Sequence, residues 1–328
     1  FFLGEVSECD PAGAGVAVGL VAGDDAEFHV GIGTDLSTDP LGAVRGALAD
    51  VPAPTLPHRT AVALHDGLGG ASVELARALK SELGSRVLFA GGAASDNYDF
   101  TSTPVFYGDE VIEDALVVAA IDTEKRSTVI ANHGHEPITE PLEVTAADGR
   151  LVTEIDGRPA LDVWRDAVRD SARETFGFDV DGDAVDDPEF DRLLAAHEFA
   201  LDEGQSYKIR WFQVEDAAAG SLKFVVPVPE GSTVRVTRGT VDSQVESARE
   251  AAREAVERAD GDYAGAFVYD CACRQLILGE EFSTAVDALD EQLDAPFAGF
   301  ETYGELCVEI GHGSGYHNTT TVVQLIPK

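Results

Sequence analysis

Positive charge is the scarcest thing in this sequence. Its 328 residues hold 23 Lys plus Arg against 60 Asp plus Glu, a formal charge of −37, and only five of the basic residues are lysines. Binding to nucleic-acid backbone or to an anionic membrane surface depends on basic patches, so this balance argues against both partners. Long hydrophobic runs are missing too, as is a charged start followed by an apolar stretch. No transmembrane span or signal peptide is therefore expected, and the expected location is the cytoplasm. Methionine is absent and the chain opens at Phe1, so further residues are expected upstream. Whether the chain stands alone or forms part of a longer receptor is left open. Cysteine is sparse, at Cys9, Cys271, Cys273 and Cys307. That spacing fits neither a zinc ribbon nor a disulfide framework, so reduced thiols and no bound metal are expected.

What the sequence has in abundance is acid, spread along the whole chain rather than gathered in a tail. Such a charge strains a fold by self-repulsion in dilute salt. In molar salt the Debye length falls to about 3 Å and the repulsion is screened. A carboxylate-rich, lysine-poor surface is thus expected to belong to a halophile. Apolar residues make up 44% of the chain, enough for packed cores.

Strand and helix signals alternate, which predicts an α/β fold. Residues 16–21 and 28–31 read as a hairpin, and Asp39-Pro40 opens a helix to about residue 49. Buried strands are expected at 60–64 and 87–91 with a helix over 72–83 between them. Further strands follow at 104–107, 115–121 and 127–132, then a hairpin turning at Asp148-Gly149. Helices are expected over 159–168 and 188–201. A second α/β run starts near Tyr207. Its clearest element is a helix over 241–259, where Ser243 and Glu246 match a capping box.

The two runs resemble each other. Gly33-Thr34, Thr60, Phe89-Ala90-Gly91 and Val117-Val118 find counterparts in Gly239-Thr240, Ala264, Phe297-Ala298-Gly299 and Val322-Val323. Each lies a near-constant 204–208 residues further on. The fold expected is two related α/β halves with mixed β-sheets flanked by helices, residues 1–205 and 206–328. The first would include a bridge over about 125–205.

Ligands of open α/β sheets sit outside strand ends, where glycine admits close backbone and short polar side chains orient the guest. Gly91, Gly92, Ser95, Asp96 and Asn97 leave one such end. Glu305, His317 and Asn318 lie at and beyond the matching end of the second run. Arg238 and Arg274 stand near corresponding strand ends, and either guanidinium suits bidentate capture of a carboxylate. These ten residues are the candidate ligand contacts of a cleft. Other groups read more plainly. The His65–Gly70 loop fits no phosphate-binding motif. Asp179, Asp181, Asp183, Asp186 and Asp187 lack the glycine of a calcium loop. His197 reads as a core residue, His133-Gly134-His135 as loop histidines open to a metal or haem role, and Cys271 or Cys273 with His317 as a thiol–base pair.

At these residues the sequence resembles the FIST family, prokaryotic sensory proteins with paired N- and C-terminal FIST regions. The likeness rests on Leu88–Asn97, Phe106-Tyr107-Gly108, His133-Gly134 with Glu136-Pro137, and Glu154–Ala160. It continues in Cys271-Ala272-Cys273-Arg274, Gly299–Glu305 and the closing His317-Asn318-Thr319-Thr320. The resemblance implies a sensory input module for a small polar ligand, an amino acid or another small carboxylate, rather than an enzyme. Its signal would pass to a histidine kinase, cyclase or chemoreceptor. Some relatives bind haem and sense nitric oxide, so a haem sensor is the alternative, and a cysteine-dependent enzyme a further one. The family supplies no catalytic residues to carry over.

Overall fold

The computed structural model describes residues 2–3, 19–23, 25–70, 72–181, 189–204, 206–308 and 315–328. The chain separates into two units. One comprises Phe1–His133, Val245–Ala272 and Glu280–Lys328, the other Gly134–Gln244 and Cys273–Gly279.

Two mixed sheets build the first unit. The first runs in the order Ala26–Thr34, Ala115–Thr123, His58–His65, Leu88–Ala93, Glu305–Val308, Tyr316–His317. The second runs Phe2–Leu3, Phe297–Thr302, Tyr263–Cys271, Thr321–Pro327, Thr128–Asn132. Each contains one parallel pair, His58–His65 with Leu88–Ala93 and Tyr263–Cys271 with Phe297–Thr302. Parallel neighbours need a crossover, and helices Ser72–Leu83 and Phe282–Leu293 lie in those connections.

Register makes the relation between the halves concrete. Ala63 sits beside Gly91 on one side and Val118 on the other. Val268 sits beside Gly299 and Val323 in the same senses. Three of the four landmark pairs thus fall on equivalent strands of two α/β halves, whereas Gly33 lies in a strand paired with Ala115–Thr123 and Gly239 ends a strand of the second unit's sheet. The halves also exchange strands: Glu305–Val308 adds to Leu88–Ala93, and Thr128–Asn132 adds to Thr321–Pro327.

The two sheets face each other across a shared core. Val62, Leu88, Ala90 and Cys307 from one pack with Val129, Tyr269, Phe300 and Val322 from the other. The Gln324 amide crosses this core, donating to Thr60 Oγ1 at 3.0 Å and the Ala61 carbonyl at 3.2 Å. Covered on both faces, Leu88–Ala93 is buried throughout and reads as a continuous small and apolar run. Helix Pro40–Ala47 lies over Ala26–Thr34. A Cβ on Gly33 would stand 1.8 Å from the Ala43 carbonyl oxygen, so only glycine permits that approach. Asp39 caps this helix through the Gly42 amide at 2.9 Å, with proline at the first turn as expected.

The second unit is an antiparallel sheet with helices. Its strand order is Tyr207–Arg210, Phe199–Asp202, Thr233–Gly239, Leu142–Asp148, Leu151–Ile155, Ser221–Phe224, Phe212–Asp216. Helix Ala160–Ser171 drives Trp164 into the core, fully buried and edge-on to Phe190 and Phe212. Its indole N–H donates to the His197 carbonyl at 2.7 Å, which satisfies the one polar atom of the ring.

Three expectations are corrected. The 28–31 strand belongs to Ala26–Thr34 and pairs with Ala115–Thr123, not with 16–21. Residues 16–18 lie outside the described residues and 19–23 form no regular element. The 188–201 helix is only Phe190–Ala196, because Phe199, Ala200 and Leu201 take ladder bonds between two strands. The long helix begins at Val241 and is capped by Thr240, not Ser243. The Thr240 amide donates to Ser243 Oγ at 2.9 Å and the Ser243 amide to Thr240 Oγ1 at 3.2 Å, a capping box set three residues earlier.

Candidate functional site

In the first unit, the chain leaving Leu88–Ala93 is tied down by its own polar groups. Ser95 Oγ donates to the Glu301 carbonyl at 2.6 Å. The Asp96 carboxylate accepts from the Tyr303 hydroxyl at 2.7 Å and from the amides of Phe100, Thr101 and Ser102. Burial pushes its pKa up, but the hydroxyl and the three amides outweigh it and hold the carboxyl well below the usual range. Asn97, Tyr98 and Phe100 all have positive φ. Phe100 stacks on Tyr303 at 4.9 Å and the Tyr98 amide donates to the Tyr303 hydroxyl at 2.6 Å. These contacts hold a backbone that bulky residues otherwise avoid.

Gly91 and Gly92 serve close packing. A Cβ on Gly92 would stand 2.5 Å from the Thr302 side chain. Glu305 is fully buried, accepts from the Thr302 hydroxyl, and has Cys271 and Asp270 beside it. Burial, and after it these neighbours, push its carboxyl well above the usual range. His317 is its ladder partner, and Asn318 is buried just beyond.

In the second unit, Arg274 is fully buried and donates to both the side-chain and main-chain oxygens of Gln244. Gln244 passes the network to His135 Nδ1 at 3.3 Å, and His135 Nε2 donates to the Ala195 carbonyl at 3.0 Å. His135 therefore spends both nitrogens on protein. Asp179 and Asp181 pair with Arg173 and Arg169, while Asp183, Asp186 and Asp187, like Cys9 and residues 309–314, lie outside the described residues.

Arg238 has a different setting. It stands at the end of Thr233–Gly239 and lines a cavity of about 210 Å³ with Arg192, Ser171, Thr175, His197 and Thr240. Phe176, Ala196, Leu276 and Ile277 supply the apolar wall. Arg192 is balanced by Glu189 at 2.6 Å. Among the described residues, the exposed Arg238 guanidinium has no acid within ion-pair distance. Two further polar atoms, His197 Nε2 and Ser171 Oγ, are buried with no hydrogen-bond partner among the described residues. The His197 ring is 1% exposed, and its Nδ1 lies 3.1 Å from the Leu193 carbonyl. Burial chiefly, with the Arg238 charge adding to it against the carbonyl bond, brings the imidazole pKa down to about 4. The ring is therefore neutral near pH 7.

So a cation with no described acid partner, a neutral imidazole and a hydroxyl belong to residues that line one small, half-apolar space. Buried polar groups are normally bonded, and each exception calls for an explanation. Arg238 was legible in the sequence as scarce charge at a strand end. His197 and Ser171 were not, because they become neighbours of Arg238 only when helix, strand and the 276–277 segment fold together.

The profile of the FIST N domain matches residues 2–158 and that of the FIST C domain matches residues 160–308. The chain belongs to the FIST family. FIST domains are sensor domains of signal transduction, and in this FIST protein no described helix is long and apolar enough to cross a membrane. It is similar to an uncharacterized protein of Mycobacterium bovis, 26% identical over 218 residues, 66% of this chain and 54% of the relative. An uncharacterized Mycobacterium tuberculosis protein is 26% identical over 240 residues, 72% of this chain and 60% of the relative. One of Methanocaldococcus jannaschii is 36% identical over 70 residues, 21% of this chain and 14% of the relative. The FIST chain thus spans little more than half the length of these mycobacterial relatives.

Proposed function

We propose that this FIST protein is a sensory input module that binds a small carboxylate in the Arg238 cavity and relays its presence to a signalling partner such as a histidine kinase or chemoreceptor. Amino acids and other small organic acids are the ligand classes. One observation carries the reading: a guanidinium with no described acid partner shares a cavity with two buried, unbonded polar atoms. Arginine presents a planar fork that matches a carboxylate. The cavity is far smaller than a porphyrin, so the haem alternative draws no support from it.

A thermal-shift screen of amino acids, other small carboxylates and haem in molar KCl tests the reading. A ligand of the folded state adds RT ln(1 + [L]/Kd) to stability, giving a saturable shift. Arg238→Ala should weaken binding of the responding acid by about 1.5–3 kcal/mol, the worth of a charged hydrogen bond. Unchanged affinity in that variant would remove the carboxylate site. A Soret band after haem supplementation would move the function to haem sensing.

A further inference from the structure

Three acids of similar size could satisfy Arg238: a plain carboxylate, an amino acid and a hydroxy acid. The cavity distinguishes them. His197 Nδ1 faces a carbonyl oxygen at 3.1 Å. A carbonyl only accepts, so Nδ1 carries the proton of the neutral ring and Nε2 is left with a lone pair. That lone pair has no described donor, although the ring is 1% exposed and lines the cavity. A plain carboxylate has no proton to offer it. An amino acid has one, but on a full positive charge. Among the described lining residues there are two guanidiniums and no carboxylate to receive an ammonium. A buried cation without a counter-charge costs far more than a hydroxyl, which brings a donor and no charge.

Resting on the carboxylate reading of this cavity, we infer that the ligand is a short α-hydroxy acid: its carboxylate meets Arg238, its hydroxyl donates to His197 Nε2, and its hydrocarbon lies against Phe176, Ala196, Leu276 and Ile277. Ser171 Oγ, which both donates and accepts, serves whichever carboxylate or hydroxyl oxygen comes nearest. Size agrees. A cavity of about 210 Å³ lies below the roughly 300–1,000 Å³ of drug-sized sites, which suits a short guest.

The test is calorimetric titration of the whole chain in molar KCl with three near-isosteric acids: α-hydroxyisocaproate, leucine and isocaproate. The hydroxy acid should bind about tenfold more tightly than isocaproate, the worth of one net hydrogen bond, and more tightly still than leucine. His197→Phe, which keeps an aromatic ring in the core and removes the acceptor, should bring the hydroxy acid and isocaproate to equal affinity. Near-UV circular dichroism checks that the variant is folded. His197→Gln, which restores an accepting oxygen, serves if the phenylalanine variant is not, and should recover part of the preference. Equal binding of isocaproate and the hydroxy acid by the native protein overturns the donor argument while leaving the carboxylate site intact. Tighter binding of leucine overturns the charge argument in the same way. No binding of any of the three overturns this inference and the carboxylate site together.

Discussion

At Glu301, burial and the neighbouring Asp270 push the carboxyl up to about 7. A folded-state pKa above the unfolded one contributes stability at low pH that is lost as pH rises through about 7. Glu301→Gln should therefore raise the urea midpoint over native protein at pH 8, with the difference shrinking toward pH 5. His65 acts in the opposite sense. It is 4% exposed, and burial brings its pKa down to about 4 against the Asp66 carbonyl bond and the Asp66 charge. Its contribution is present above pH 6.5 and is lost as pH falls toward 4, so acid should destabilise native protein more than His65→Gln in that window. Urea midpoints of both proteins between pH 7 and 4 check this. Neither shift was legible in the sequence, since both come from burial by strands distant along the chain.

Among the elements, those with local signals came out close to expectation. Asp39-Pro40 starts a helix because a carboxylate takes the Gly42 amide and proline needs no donor there. Asp39→Ala should cost about 1 kcal/mol, read as a shift in urea midpoint without a change in slope. Where local and long-range preferences conflict, the sequence misled. His197-Glu198-Phe199-Ala200-Leu201 continues a helical pattern, yet two flanking strands offer those residues ladder bonds. Likewise the cap of the long helix went to Thr240, which is placed by the end of the preceding strand Thr233–Gly239.

For the whole molecule, charge decides the solution behaviour. With −37 formal charges, repulsion falls as the Debye length shrinks from about 10 Å at 0.1 M salt to about 3 Å at 1 M. The melting temperature should rise between 0.1 M and 2 M KCl, while capture of an acid by the exposed Arg238 should weaken over the same range. Scanning calorimetry and titration across a KCl series separate the two. A melting temperature that is flat or falls would contradict the reading of a surface built for high salt.

Composition and pattern were sufficient, without coordinates, for the α/β class, the internal repeat and the scarcity of positive charge, while the family came from the likeness of its motifs to known FIST sequences. Repeat spacing and strand periodicity are local properties, so they survive in one dimension. The exchange of edge strands between the halves was a matter for tertiary structure alone, because pairing partners such as Cys307 and Ala90 lie far apart in sequence. So was the candidate site. A strand-end arginine is visible in a sequence, but a buried histidine with one nitrogen bonded, on a residue lining the same cavity, exists only once the elements have packed.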